Sequence, residues 1–180
     1  MGNYAPSTRE RISDLVDGMR VETGTFAAAT YVNHTTNTGQ FELFQVNGVI
    51  RLMGLYVEAI TVFGAGAAVV SFTYTSSSPV VAVAEICDAC ASVATLAEGT
   101  RIVWPGGVVA TAAIITASAG ITDVSPSGSE HLIGTYGGTG TIGMLTATAT
   151  IASGTARAFL SYVPKEKGAY VVANTLPQNP

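Results

Sequence analysis

Charge is what this chain has least of. Only 11% of its 180 residues are Asp, Glu, Lys or Arg, against about a quarter in an ordinary soluble domain. A lone 18.4 kDa domain needs more than that to cover its surface. The shortfall predicts a surface that partner subunits cover, or one coated with Thr, Ser and Gly. Histidine is scarce, with His34 and His131 far apart in sequence, and the only cysteines are Cys87 and Cys90. Two cysteines exclude a disulfide framework, and lone histidines provide no metal-ligand spacing. The 158 residues from Thr23 onward hold no dense cluster of His, Asp, Glu or Lys. The sequence therefore predicts a building block and not an enzyme, with no cofactor and no metal.

The charge that is present is acidic on balance, with net charge −4 and pI about 5.0. No basic run exceeds Arg9-Glu10-Arg11, so no nucleic-acid partner is expected. Two uncharged stretches, 59–84 and 102–122, have the length of a membrane span. Each contains a proline (Pro79, Pro105) and is rich in Gly, Ser and Thr. Alternation such as Ser71-Phe72-Thr73-Tyr74-Thr75 belongs to strands, so no membrane partner is expected. Met1 to Val16 carries charges and no apolar core, so no signal peptide is expected there.

The first 22 residues hold seven of the twenty charges. Ser7 and Glu10 fit a capping box. Ile12, Leu15, Val16 and Met19 then follow at helical spacing. This predicts a short amphipathic helix over 8–19, packed on its own domain or docked on a neighbour through those four residues.

From Thr23 the period becomes two. Strands are expected over 26–32, 40–46, 49–63, 67–75, 80–84, 101–104, 107–117, 141–151, 155–163 and 168–173. Asn47-Gly48 predicts a hairpin, because both residues accept the positive φ of a type I′ turn. Ala152-Ser153-Gly154 predicts a second. In the long strand Arg51 and Glu58 fall out of phase, and Gly54 marks the bulge that switches them. Residues 85–96 break the pattern and are expected to form one or two helical turns; 122–130 is expected to be a loop. Strands with closely spaced turns predict an all-β fold, a β-sandwich of jelly-roll type. The expected organisation is an arm (1–22), a sandwich domain (23–173) and a polar tail (174–180).

Three motifs invite chemistry. Cys87-Asp88-Ala89-Cys90 has redox spacing but no α/β context, and reads as small buried thiols on a helical turn. Gly138-Thr139-Gly140-Thr141-Ile142-Gly143 matches a dinucleotide fingerprint, yet strand and not helix follows it. Ser129-Glu130-His131 places catalytic residue types side by side without the convergence a triad needs. Trp104 reads as a core or interface anchor.

The segments Leu43-Phe44-Gln45-Val46-Asn47-Gly48-Val49-Ile50, Gly140 to Leu145, Ala158-Phe159-Leu160-Ser161-Tyr162-Val163-Pro164 and Gly168 to Ala173 carry a resemblance. With the Ile86-Cys87 turn and Pro105-Gly106, they are similar in order and spacing to a group of tailed-phage virion proteins. The resemblance covers roughly 41–173. It implies a capsid decoration (cement) protein on the capsid outer surface, a homotrimer whose other partner is the major capsid protein. Other virion parts (tail tube, head completion, fibre base) and a carbohydrate- or receptor-binding β-module are the alternatives. Ile12, Leu15, Val16 and Met19 are the candidate capsid-docking residues.

Overall fold

Period-two alternation builds this molecule. In Thr155–Pro164 the residues Ala156, Ala158, Leu160 and Tyr162 are buried, while Thr155, Arg157, Phe159 and Ser161 face outward. The computed structural model describes residues 18–28, 41–65, 67–77, 84–106, 112–116, 131–147, 149 and 151–174. Among the described residues there are fourteen strands and no α-helix. In chain order they are β1 (Met19–Glu22), β2 (Phe26–Ala27), β3 (Phe41–Asn47), β4 (Ile50–Ala59), β5 (Gly64–Ala65), β6 (Val69–Ser76) and β7 (Ala84–Glu85). They continue with β8 (Arg101–Val103), β9 (Ile114–Thr116), β10 (His131–Ile133), β11 (Thr139–Ala147), β12 (Ile151–Ser153), β13 (Thr155–Pro164) and β14 (Tyr170–Ala173).

Two antiparallel sheets hold most of them. The first runs β1-β13-β4-β8-β9; β2 prolongs the β1 edge along β13, and β10 shares an edge of β4 with β8. The second runs β14-β3-β11-β6-β7. β5 and β12 form a separate two-stranded pair. Both large sheets feed one hydrophobic cluster, with Leu52, Leu55, Val57, Ile102, Leu160 and Tyr162 from the first and Phe44, Val46, Val70, Phe72, Ile142 and Met144 from the second. The Tyr162 hydroxyl accepts the Val171 amide at 3.1 Å, tying the first sheet to the edge strand of the second.

The bulge expected at Gly54 is present. Ser161 pairs with Gly54 and Tyr162 with Leu52, so Met53 is an extra residue in β4. Buried positions accordingly shift from Ile50 and Leu52 to Leu55, Val57 and Ala59. Arg51 and Glu58 thereby reach the same, outward face.

Four expectations are corrected. The Asn47-Gly48 turn makes no hairpin: β3 pairs with β11 and β14, whereas β4 pairs with β13, β8 and β10. Gly48 has φ +72° but Asn47 is not among the positive-φ residues, so the type I′ requirement is unmet. Gly48 instead turns the chain from one sheet to the other, and its amide donates to Gly138 O. The second expected hairpin fails in the same way, since β11 and β13 lie in different sheets and Ile151–Ser153 pairs with β5.

Residues 85–96 are not helical either. They run along the free edge of β6 with Ile86 N on Phe72 O, Cys90 N on Val70 O and Val93 N on Ala68 O. Edge pairing supplies the partners that a helix would otherwise have supplied. Finally, Met19 is not helical: it opens β1 opposite Tyr162, so Met19–Glu22, read as arm, belong to the first sheet. The rest of the expected helix, 8–17, lies outside the described residues, as do the loop 122–130 and most of 107–117 and 80–84.

Candidate functional site

Of the four docking candidates, Ile12, Leu15 and Val16 lie outside the described residues. Met19 is a sheet-edge residue, 44% exposed.

The two cysteines are buried free thiols, as expected, though on an extended segment. Cys87 Sγ accepts the Phe72 amide at 3.5 Å and Cys90 Sγ the Val70 amide at 3.3 Å. Each sulfur thus caps one outward amide of β6. Burial pushes the Cys87 thiol up to about 11, and moves Cys90 the same way, because a thiolate there would lose its hydration. A thiol protonated at neutral pH is a poor nucleophile and a poor metal ligand. Among the described residues no three His, Cys, Asp or Glu side chains group to hold a metal ion.

The glycine motif leads into β11, so the helix N-terminus that cradles a pyrophosphate does not follow it. His131 lies in β10 with its ring edge-on to Trp104, 5.2 Å between centroids. Ser129 and Glu130 lie outside the described residues. Trp104 is buried and donates its indole N–H to Ile86 O at 3.3 Å, joining the β6 edge segment to the first sheet. No described helix is long and apolar enough to cross a membrane.

What the sequence reading missed is a ladder on the outer face of the first sheet. Arg157 lies opposite Glu58, and Glu58 opposite Arg101; two residues along each strand, on the same face, Phe159 lies opposite Tyr56, and Tyr56 opposite Val103. The last row continues to Ile114 on β9, which is exposed. Each Glu58 carboxylate oxygen accepts from a different arginine, Oε1 from Arg101 and Oε2 from Arg157, both at 3.3 Å. Arg157 also reaches Glu22 of β1 at 3.1 Å. The Tyr56 and Phe159 rings stack at 4.6 Å with 20° between planes. Arg101 lies 4.8 Å from the Tyr56 centroid and Arg157 5.1 Å from that of Phe159. Burial pushes the Tyr56 hydroxyl up, against the pull of Arg101.

The ladder was legible only as fragments. Arg157-x-Phe159, Tyr56-x-Glu58 and Arg101-x-Val103 each put charge and apolar bulk two residues apart, on one strand face. Register across three strands converts them into rows. The arrangement pairs Glu22, Arg157, Glu58 and Arg101 with one another and sets a guanidinium over each ring, while Arg101 Nε and Arg157 Nε are buried without a hydrogen-bond partner.

A second assembly sits where three connections meet. Glu166 Oε2 accepts the Val49 amide at 3.1 Å and Oε1 the Gly137 amide at 3.0 Å, joining the turns after β3, β10 and β13. Gly134, at φ +111°, lies so close to Gly48 O that a Cβ would overlap it. On this platform Tyr136 is 78% exposed and Tyr170 48%, with Asn47 Nδ2 donating to the Tyr170 hydroxyl at 3.2 Å.

No protein-family model matches this chain, and neither a curated protein nor a solved structure matches it significantly.

Proposed function

We propose that this chain is a structural subunit of a tailed-phage virion that decorates the outside of the capsid and clamps neighbouring shell subunits together. The two sheets are read as a β-sandwich of jelly-roll type, and the working unit as a homotrimer on the major capsid protein. The observation that carries this reading is the ladder face. Glu22, Arg157, Glu58 and Arg101 neutralise one another beside an apolar row of Phe159, Tyr56, Val103 and Ile114. Such a face suits broad burial against a protein lattice, where many modest contacts act together. It does not suit a sugar ring, because the flat aromatic surfaces are already occupied.

The test has two readouts: light scattering behind a sizing column, and co-sedimentation with empty tailed-phage shells stripped of their decoration protein. The expected result is a species of about three times 18.4 kDa that sediments with the shells. A protein that never sediments overturns the proposal, and a six-fold ring or open tube moves the assignment to the tail.

A further inference from the structure

The outer face of the second sheet differs in chemistry from the ladder face. Its end row runs across the strands from Tyr170 through Asn47 and Thr139 to Ser77. The next row, two residues along, holds Val172, Gln45, Thr141 and Thr75. Alternation turns both rows outward, because Val171, Val46, Gly140 and Ser76 between them are buried. Neither row contains a charged residue. Tyr170, Val172, Gln45 and Ser77 are exposed. At about 4.8 Å per strand spacing, the end row is about 14 Å long.

Asn47 Nδ2 donates to the Tyr170 hydroxyl at 3.2 Å, and an amide has a second N–H donor and a carbonyl besides. Gln45 adds a second amide to the face. Ser77 Oγ donates to Thr139 O at 2.9 Å and lies 2.7 Å from Thr139 Oγ1. Tyr136, 78% exposed, stands three residues before Thr139 on the adjoining turn. The Gly137 amide on Glu166 Oε1 and the Gly48 amide on Gly138 O hold that turn beside the end row. Among the described residues, neither Tyr136 nor Tyr170 stacks on another ring or carries a guanidinium, whereas Tyr56 and Phe159 of the ladder do both.

We propose that this face binds a neutral polysaccharide chain. A sugar ring presents a face of C–H groups and a rim of hydroxyls. Tyr170 and Tyr136 offer aromatic surface to the first; Asn47, Gln45, Thr139 and Ser77 offer donors and acceptors to the second. The lack of charge across both rows complements a ligand that carries none. A row of about 14 Å spans more than one sugar ring, so the site takes a chain in preference to a monosaccharide. The site and the ladder lie on different sheets, so this inference goes beyond the capsid reading and does not depend on it.

The test is retention of the full chain on columns bearing an immobilised α-glucan, β-glucan, mannan or galactan, with a polyuronate as the charged control. At least one neutral polysaccharide is expected to retain wild type, and to do so equally at about 50 mM and about 0.5 M salt, because no ion pair is screened. Tyr170→Ala with Tyr136→Ala is expected to weaken binding at least about tenfold, as loss of aromatic anchors does. Gln45→Ala is expected to weaken it about threefold or more. Leu132→Ala, an exposed position on the first sheet, is the control expected to leave it unchanged. The substituted side chains are exposed, so thermal melts close to wild type separate lost binding from lost folding. A wild type that none of the neutral polysaccharides retains overturns the proposal. So does retention by the polyuronate alone, or binding that survives the double tyrosine substitution.

Discussion

Deleting Met53 is the most direct test of how this sheet is registered. Met53 is the extra residue of the β4 bulge, and it lets Ile50 and Leu52 face the core together with Leu55, Val57 and Ala59. Without it Leu52 adjoins Gly54, so alternation runs unbroken: Leu52 stays opposite Tyr162, Gly54 stays opposite Ser161, and both inward sets stay inward. What is lost is one half-buried side chain and the local irregularity, so the deletion is expected to cost about as much as Met53→Ala, about 1 kcal/mol. Deleting Tyr56, where the pairing is regular, is the contrast. It must turn at least Leu55 outward, a side chain 1% exposed, at a cost of about 1.5–3 kcal/mol or more. A whole domain has only about 5–15 kcal/mol, so that difference is easily resolved. Urea unfolding followed by the fluorescence of Trp104, the only tryptophan and a buried one, measures all three variants. A Met53 deletion that costs as much as the Tyr56 deletion would refute the bulge as the device that sets the two faces.

Tyr162→Phe leaves the Val171 amide buried without its acceptor. It is expected to cost about 1–3 kcal/mol, with faster hydrogen exchange at residue 171. Unchanged exchange there would contradict the tie between sheets. Glu166→Ala removes the carboxylate that accepts the Val49 and Gly137 amides. The exposed amide finds water, so the expected loss is about 2 kcal/mol, most of it from Val49; calorimetry measures it, and an unshifted melt contradicts it. Cys87 titrates at about 11 in the folded chain against 9.0 as an ordinary thiol. A raised folded value means that its contribution is full below about 9 and is lost as pH climbs toward 11, by about 3 kcal/mol in all. The difference between wild type and Cys87→Ala in urea midpoints from pH 8 to 11 isolates this slope, and a flat difference would rule it out.

The candidate contact surfaces were less legible than the strands. Arg157, Glu58 and Arg101 are 43 residues or more apart in sequence, and nothing local states that they share a row. The buried, structural character of Cys87 and Cys90 was readable from their surroundings, but their extended geometry was not. A C-x-x-C segment with small residues is compatible with a helical turn until the β6 edge offers it amides to accept.

Composition and period settled the all-β class, the inward and outward faces of most strands, and the bulge beside Gly54. These are local properties: side-chain direction alternates along any extended backbone, and an apolar set that changes phase demands an extra residue. Strand partnership was decided elsewhere. Asn47-Gly48 permits a tight turn without requiring its flanks to pair, and β3 and β4 lie in different sheets that both contribute to one hydrophobic cluster. Only the tertiary structure chooses between a hairpin and a crossing, because the choice depends on what β11 and β13, about a hundred residues later, offer each strand.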